Sequence, residues 1–290
     1  MKQRSITSVV IVLGMIVVLF ISWSPALPII LALLSLIATN EMLKVFVLHK
    51  RLFVAIPSYL IAVAMPIVAY VMVKELGYSA LDFVHIHTLV IFAFMLYLFT
   101  VAVFERGRMP FGEFSSSFAM VIYIVTSFSA LVVIRHSSAL GLYFFGMVLI
   151  CSWITDVSAY LVGYFFGKHK LIPEVSPKKT VEGAVGGVVG TTVAMMIFGG
   201  LVYFFTRVVA VATPLNPNFI VLGFSGALLS VVSQMGDLFA SVIKREHGVK
   251  DYGTLFPGHG GIMDRFDSII IVSIVTMILT FFVQPFTIVA

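Results

Sequence analysis

The chain has 290 residues, of which 60 % are hydrophobic and 11 % are charged, and its mean hydropathy is +1.12. A soluble protein of this size needs more polar residues to cover its surface, so the composition excludes a soluble globular fold and indicates a polytopic membrane protein. The net charge of +5 is informative through its distribution, because Lys and Arg in loops orient membrane helices.

Nine apolar segments are long enough to cross a bilayer core, which takes about 20 helical residues. They are 6–22, 25–43, 53–73, 86–104, 114–134, 139–166, 181–205, 218–243 and 268–288. With a cytoplasmic N-terminus, only three of the 18 basic residues, Lys74, Arg135 and Arg207, would lie outside. The prediction is an all-α polytopic membrane protein with about nine transmembrane helices, its N-terminus cytoplasmic and its C-terminus outside. We interpret the first span as an uncleaved helix and not as a signal peptide.

The sixth span and the loop after it hold the first polar cluster. Asp156 lies inside an apolar span, on the same helical face as Tyr160. The polar residues that follow are Ser176, Lys178, Lys179, Thr180 and Glu182. Taken alone, the two loop lysines are equally well explained by membrane topology and attraction to anionic lipids.

The eighth and ninth spans carry three further acids. Asp237 lies inside the eighth span, where an unpaired carboxylate is costly and usually functional, although a helix-end acid that reaches water is the alternative. Asp264 and Asp267 share one face at the start of the ninth helix, where simple capping is the alternative. If these spans pack together, the three carboxylates can converge on Mg²⁺, with room for two ions.

The loop between those spans is the most polar stretch of the chain. Its remaining candidates are Ser241, Lys244, Arg245, Lys250, His259, Gly260, Gly261 and Arg265. Cations neutralise phosphate oxygens, and a glycine turn before a helix N-terminus favours an anion. The combination indicates chemistry on a nucleotide or a phospholipid headgroup.

This loop resembles the signature of the phosphatidate cytidylyltransferase (CDP-diacylglycerol synthase) family. That signature has Ser, two residues, Lys-Arg, four residues and Lys-Asp, followed by His-Gly-Gly, a hydrophobic residue and Asp-Arg-hydrophobic-Asp. Every position is filled between Ser241 and Asp267. Residues 156–183 resemble the same family, whose members share an Asp-Ala-Tyr-type helix and a Ser-Pro-Lys-Lys-Thr-x-Glu-Gly turn.

The resemblance implies transfer of a cytidylyl group from CTP to phosphatidate in phospholipid biosynthesis. We expect in-line attack of the lipid phosphate on the α-phosphorus, with Mg²⁺ and a second ion that need not be magnesium held by Asp237, Asp264 and Asp267. The predicted catalytic residues are Asp237, Lys244, Arg245, Lys250, His259, Asp264, Arg265 and Asp267. The predicted substrate-binding residues are Asp156, Tyr160, Ser176, Lys178, Lys179, Thr180, Glu182, Ser241, Gly260 and Gly261.

These motifs divide the chain into a scaffold, residues 1–135, and a catalytic region, residues 136–290, with cytoplasmic loops at 167–180 and 244–267. The expected location is the cell (inner) membrane, as a multi-pass protein whose active site faces the cytoplasm. The expected partners are CTP, phosphatidate and the bilayer, with no nucleic acid, and the family resemblance is compatible with a homodimer.

Two other functions fit part of the sequence. An ion-coupled transporter would use Asp156 and Asp237 as intramembrane relay sites. Against it, the charges cluster at one face of the membrane, and no inverted repeat is evident. A CTP-dependent lipid kinase would share the metal and phosphate groups but not the signature.

Overall fold

The computed structural model describes residues 18–19, 21–105, 110–209, 213–256, 258 and 260–288. In these ranges eight helices are long and apolar enough to cross a membrane. They are α1 (Ala26–Val45), α2 (Leu52–Tyr70), α3 (Ala80–Phe104), α4 (Phe111–His136), α5 (Gly141–Phe166), α6 (Val181–Val208), α7 (Phe219–Glu246) and α8 (Met263–Phe282). Each overlaps one predicted span, whereas the predicted span 6–22 lies mostly outside the described residues. The total number of spans and their orientation stay predictions.

The last helix is shifted toward the N-terminus relative to its predicted span. It begins at Met263 instead of 268, and it ends at Phe282 instead of 288. Pro285 explains the early end, because the residue before a proline disfavours helical dihedrals. The shift places both Asp264 and Asp267 inside the first turns of α8, where the sequence predicted them.

Two short antiparallel ladders lie outside the helices, and the all-α prediction did not include them. Strand β1 (Lys170–Ile172) pairs with β2 (Ser176–Thr180) in the predicted loop between α5 and α6. Strand β3 (Leu215–Pro217) pairs with β4 (Phe286–Ile288) and ties the C-terminal segment to the start of α7. Both ladders satisfy backbone groups of segments that are not helical.

Small residues bring α5 and α6 into close contact. A Cβ added at Gly163 would lie 2.8 Å from Thr180 Oγ1, and one added at Gly183 would lie 2.7 Å from the Ala159 carbonyl oxygen. Neither position tolerates a side chain without movement of the backbone or of a packed group. The absence of side chains at these glycines therefore lets the two helices pack closely.

A buried hydroxyl cluster joins α5, α6 and α7. Thr155 Oγ1 lies 2.8 Å from Thr191 Oγ1 and 2.9 Å from Ser230 Oγ, and all three residues are buried. Hydroxyls in an apolar bundle stabilise helix contacts when they satisfy one another. The cluster therefore fixes the rotation of α5 immediately before Asp156.

The N-terminal helices share their core with the C-terminal ones. Helix α4 packs on α2 and on α8, and the Ser273 hydroxyl of α8 donates to the Ser127 carbonyl oxygen of α4 at 3.0 Å. Helix α1 packs on α2 and α4 and also reaches the beginning of α8. Helices from the predicted scaffold thus hold α8 in place.

Candidate active site

A cavity of about 650 Å³ opens between α5, α6, α7 and the β1–β2 ladder. Its polar lining contains Asp156, Tyr160, Lys170, Ser176, Lys178, Lys179, Thr180, Gln234 and Asp237. The structure therefore brings together the substrate-binding candidates of residues 156–180 and the intramembrane acid of α7. The volume lies in the range of pockets that hold small-molecule ligands.

An ion pair crosses this cavity. Lys179 Nζ on β2 lies 2.6 Å from Asp237 Oδ2 on α7, and each side chain is 28 % exposed. One turn later on α7, the Ser241 hydroxyl donates a long 3.5 Å hydrogen bond to Asp237 Oδ1. The pair offsets the cost of a carboxylate inside a membrane helix, and it holds the ladder against α7.

Asp267 lies beside Asp156 and Asp237, close enough for the three carboxylates to repel one another. Helices α7 and α8 approach closely here, since a Cβ added at Gly236 would lie 2.8 Å from the Asp267 carbonyl oxygen. Carboxylate oxygens are the ligands that hard divalent cations prefer. Nevertheless, among the described residues no three His, Cys, Asp or Glu side chains form a ready-made metal centre.

Asp264 has a different environment from Asp267. Its Oδ1 accepts from Lys244 Nζ at 2.9 Å, and its Oδ2 accepts from the Tyr252 and Gly261 backbone N–H groups at 2.7 and 2.9 Å. Its side chain is 3 % exposed. Both oxygens are thus engaged in holding the loop, and a metal ion at Oδ1 would have to compete with the Lys244 charge beside it. The metal role of Asp264 stays a prediction.

Tyr252 anchors the middle of this loop. Its hydroxyl donates to the Ala240 carbonyl oxygen at 2.6 Å, and Lys244 Nζ lies 5.3 Å from the centre of its ring. Burial raises the pKa of the Tyr252 phenol above its usual value, and the negative charge of Asp264 acts in the same direction. The phenol therefore stays neutral and keeps its donor.

The glycine turn before α8 binds the carboxylate of Glu41, a residue that was not among the predicted site residues. The backbone N–H groups of Ile262 and Met263 donate to the two carboxylate oxygens of Glu41, at 3.0 and 2.9 Å. A Cβ on Gly253 or Gly261 would overlap that carboxylate. The anion at this helix N-terminus is therefore Glu41 of α1. Binding of a substrate phosphate at Gly260 and Gly261 stays a prediction. An acid inside an apolar span, the signal that marked Asp156, would also have identified Glu41.

Other predicted residues lie around the cavity without lining it. Glu182 accepts from the backbone N–H groups of Lys168 and His169 and from the His169 ring at 2.6 Å, so it holds the start of the β1–β2 segment. Arg245 Nε donates to the Val175 carbonyl oxygen at 3.4 Å, which joins the end of α7 to the turn of the ladder.

The remaining predicted residues have varied surroundings. Lys250 and Arg265 are exposed on the loop and on α8, whereas Gly260 is buried with a positive φ of 82°. A Cβ on Gly260 would lie 2.5 Å from Asp264 Oδ2, which explains the glycine there. His259 lies outside the described residues.

Similarity to known proteins extends along nearly the whole chain. The model of the cytidylyltransferase family matches residues 2–283. The phosphatidate cytidylyltransferase of Bacillus subtilis (strain 168) is 35 % identical and covers 94 % of each chain. Those of Staphylococcus aureus (strain COL) and Staphylococcus haemolyticus (strain JCSC1435) are 32 % and 30 % identical, over 94 % of this chain and 96 % of their own.

Proposed function

The chain belongs to the cytidylyltransferase family, and we propose on this basis that it is a phosphatidate cytidylyltransferase, which converts CTP and phosphatidate to CDP-diacylglycerol and pyrophosphate. The observation that carries the proposal is the cavity, in which Asp156 and Asp237 of membrane helices face Lys178 and Lys179 of the ladder. Cations for phosphate oxygens and carboxylates for a divalent cation are the groups that this reaction needs.

The reaction requires no Ser, Cys or His nucleophile. An oxygen of the already ionised phosphatidate phosphate forms the new bond to the α-phosphorus of CTP, and the bond from that phosphorus to the bridging oxygen breaks. Pyrophosphate leaves with the bonding electrons. Catalysis by the chain then consists of holding the two substrates in line and neutralising charge on the phosphates.

The basic residues fall into two groups with different tasks. Lys178 and Lys179 reach the cavity from the ladder and are placed to bind the triphosphate. Entry of a nucleotide would give Lys179 a second anionic partner besides Asp237. Lys244 and Arg245 lie at the end of α7, where one holds Asp264 and the other holds the turn of the ladder. In our proposal, this second group shapes the site and supplies positive potential for the lipid phosphate.

The donor set fits a hard divalent cation. Of the predicted ligands, Asp237 and Asp267 lie near Asp156, whereas the Asp264 side chain is 3 % exposed and holds the loop through both oxygens. A cation at Asp237 would weaken its ion pair with Lys179. We therefore assign Mg²⁺ to Asp237 and Asp267, with a second ion near Asp156, and give Asp264 the task of holding the loop. When bound, Mg²⁺ would neutralise charge on the phosphates of CTP.

The eight apolar helices in the described part of the chain make it a multi-pass membrane protein. We propose that it lies in the inner membrane with the site on the cytoplasmic side, where CTP is found. The bias of Lys and Arg supports this orientation, and the contact of Arg245 with Val175 brings both basic loops to one end of the bundle. A homodimer stays a prediction.

Pyrophosphate release tests the proposed reaction. Detergent-purified protein given CTP, phosphatidate and Mg²⁺ should release pyrophosphate only when all three are present. Asp237→Asn should abolish release, whereas Glu246→Gln, at the exposed end of the same helix, should not. Release of CDP would indicate a lipid kinase. Ion flux in liposomes without CTP turnover would indicate a transporter.

A further inference from the structure

We propose that Glu41 is a positioning residue of the cytidylyl-transfer site: it holds the first turn of α8 and thereby places Asp267 opposite Asp237. The residue lies on α1, in the part of the chain for which the sequence predicted only a scaffold. The catalytic half of this inference rests on the proposed function, whereas the contact itself does not.

Glu41 is buried, with 5 % of its surface exposed, and it lies 221 residues before its first partner. Its two oxygens accept from consecutive backbone N–H groups, those of Ile262 and Met263. The first N–H groups of a helix have no partner within the helix, and a carboxylate there complements the helix dipole. No cap hydrogen bond comes from the side chain of Ile262, which precedes the helix. Glu41 supplies the missing cap from another helix.

The turn is shaped to receive this carboxylate. Gly253 and Gly261 flank it, and a side chain at either position would occupy its space. Asp264 accepts from the preceding N–H group, that of Gly261, so two carboxylates hold three consecutive N–H groups. Lys44, one turn later on α1, attracts the Glu41 charge and offsets part of the repulsion from Asp264.

The cap determines where Asp267 lies. Met263 and Asp267 are four residues apart, so they occupy the same face of α8 on successive turns. At Asp267, α8 also packs against Gly236 of α7, where a side chain on the glycine would overlap the Asp267 backbone. The beginning of α8 is therefore held between α1 and α7. A loss of the α1 contact would let the turn shift and would change the distance between the Asp267 and Asp237 carboxylates.

Glu41→Gln tests this role, because it keeps the side-chain volume but removes the charge and one acceptor. Hydrogen exchange of residues 252–267 should become at least about tenfold faster, while α7 keeps its protection. Turnover should fall about tenfold, and the Mg²⁺ concentration for half-maximal activity should rise. A smaller fraction of folded enzyme would lower turnover but would not change that concentration. Ser35→Ala is the matched control on α1, since Ser35 is fully buried and its hydroxyl has no partner among the described residues.

The outcomes separate positioning from simple packing. Faster exchange with an unchanged Mg²⁺ response would overturn the proposal and leave Glu41 as a helix tether. If Glu41→Gln fails to fold, Glu41→Asp tests the proposal in its place. This variant keeps the charge but withdraws it by one methylene, so exchange should again become faster and the Mg²⁺ concentration for half-maximal activity should again rise. A Glu41→Asp protein that matches Ser35→Ala in both would refute the proposal. Wild-type protein without CTP turnover would instead refute the proposed function, while the exchange would still report on the contact.

Discussion

Asparagine substitutions of Asp264 and Asp267 should separate stability from catalysis at the start of α8. Asp264 is almost fully buried and pairs with Lys244, whose side chain is 16 % exposed. Removal of one partner of a buried ion pair typically costs about 3–5 kcal/mol. Because Asn keeps the volume and can still accept one N–H group, we expect Asp264→Asn to lose about 3 kcal/mol of unfolding free energy.

Asp267→Asn should behave in the opposite way. The Asp267 side chain accepts from the Ser268 backbone N–H at 2.8 Å, and it is repelled by Asp156 and Asp237. Loss of that repulsion is worth on the order of 1 kcal/mol and offsets the weakened hydrogen bond. Stability should therefore stay the same or rise slightly. Turnover should fall about 100-fold or more, as expected for loss of a group that helps to neutralise charge in the transition state.

Both effects can be measured on the same preparations. Thermal unfolding in detergent gives the stability, and pyrophosphate release at saturating CTP gives the turnover. If Asp267→Asn is as unstable as Asp264→Asn, the two acids share one structural role and the distinction between them is wrong. Wild-type turnover in Asp267→Asn would remove this residue from the catalytic groups.

Three further predictions follow from the cavity and its walls. Lys179→Gln should raise the KM for CTP about tenfold through loss of a charge-assisted contact, whereas Lys74→Gln, outside the cavity, should leave it unchanged; steady-state kinetics decides. Gly183→Ala should cost about 1–3 kcal/mol, since its Cβ meets backbone of α5, while Gly200→Ala on the same helix has open space and should be neutral in thermal unfolding. Glu182→Gln should release the chain before β1, which would appear as faster proteolysis at 167–180 with intact helices; unchanged proteolysis would contradict its role.

The helices were predictable because a membrane span needs little more than a long apolar run. Every helix from α1 onward matches such a run. The ladder of β1 and β2 was not predictable, since its strands have only three and five residues, too few for an alternating pattern to stand out. Their pairing depends on where α5 ends and α6 begins.

The site was predictable in composition but not in arrangement. Spacing on one helix placed Asp156 and Tyr160 together, and the cavity contains both. The contact of Lys179 with Asp237 and the different surroundings of Asp264 and Asp267 depend on packing between distant segments. For the same reason, the sequence could have marked Glu41 as unusual but could not have identified its partners.

The contact between α1 and α8 also constrains how the protein is made. Ribosomes add about 5–20 residues per second, so the 221 residues between Glu41 and Ile262 take about ten seconds or longer to synthesise. During that time α1 enters the bilayer with a carboxylate whose final partners do not yet exist. Glu41 lies one turn before the end of α1 at Val45. This position lets its carboxylate reach water at the membrane surface until α8 has been synthesised. The first helices are thus inserted early but can complete their packing only when the last helix arrives.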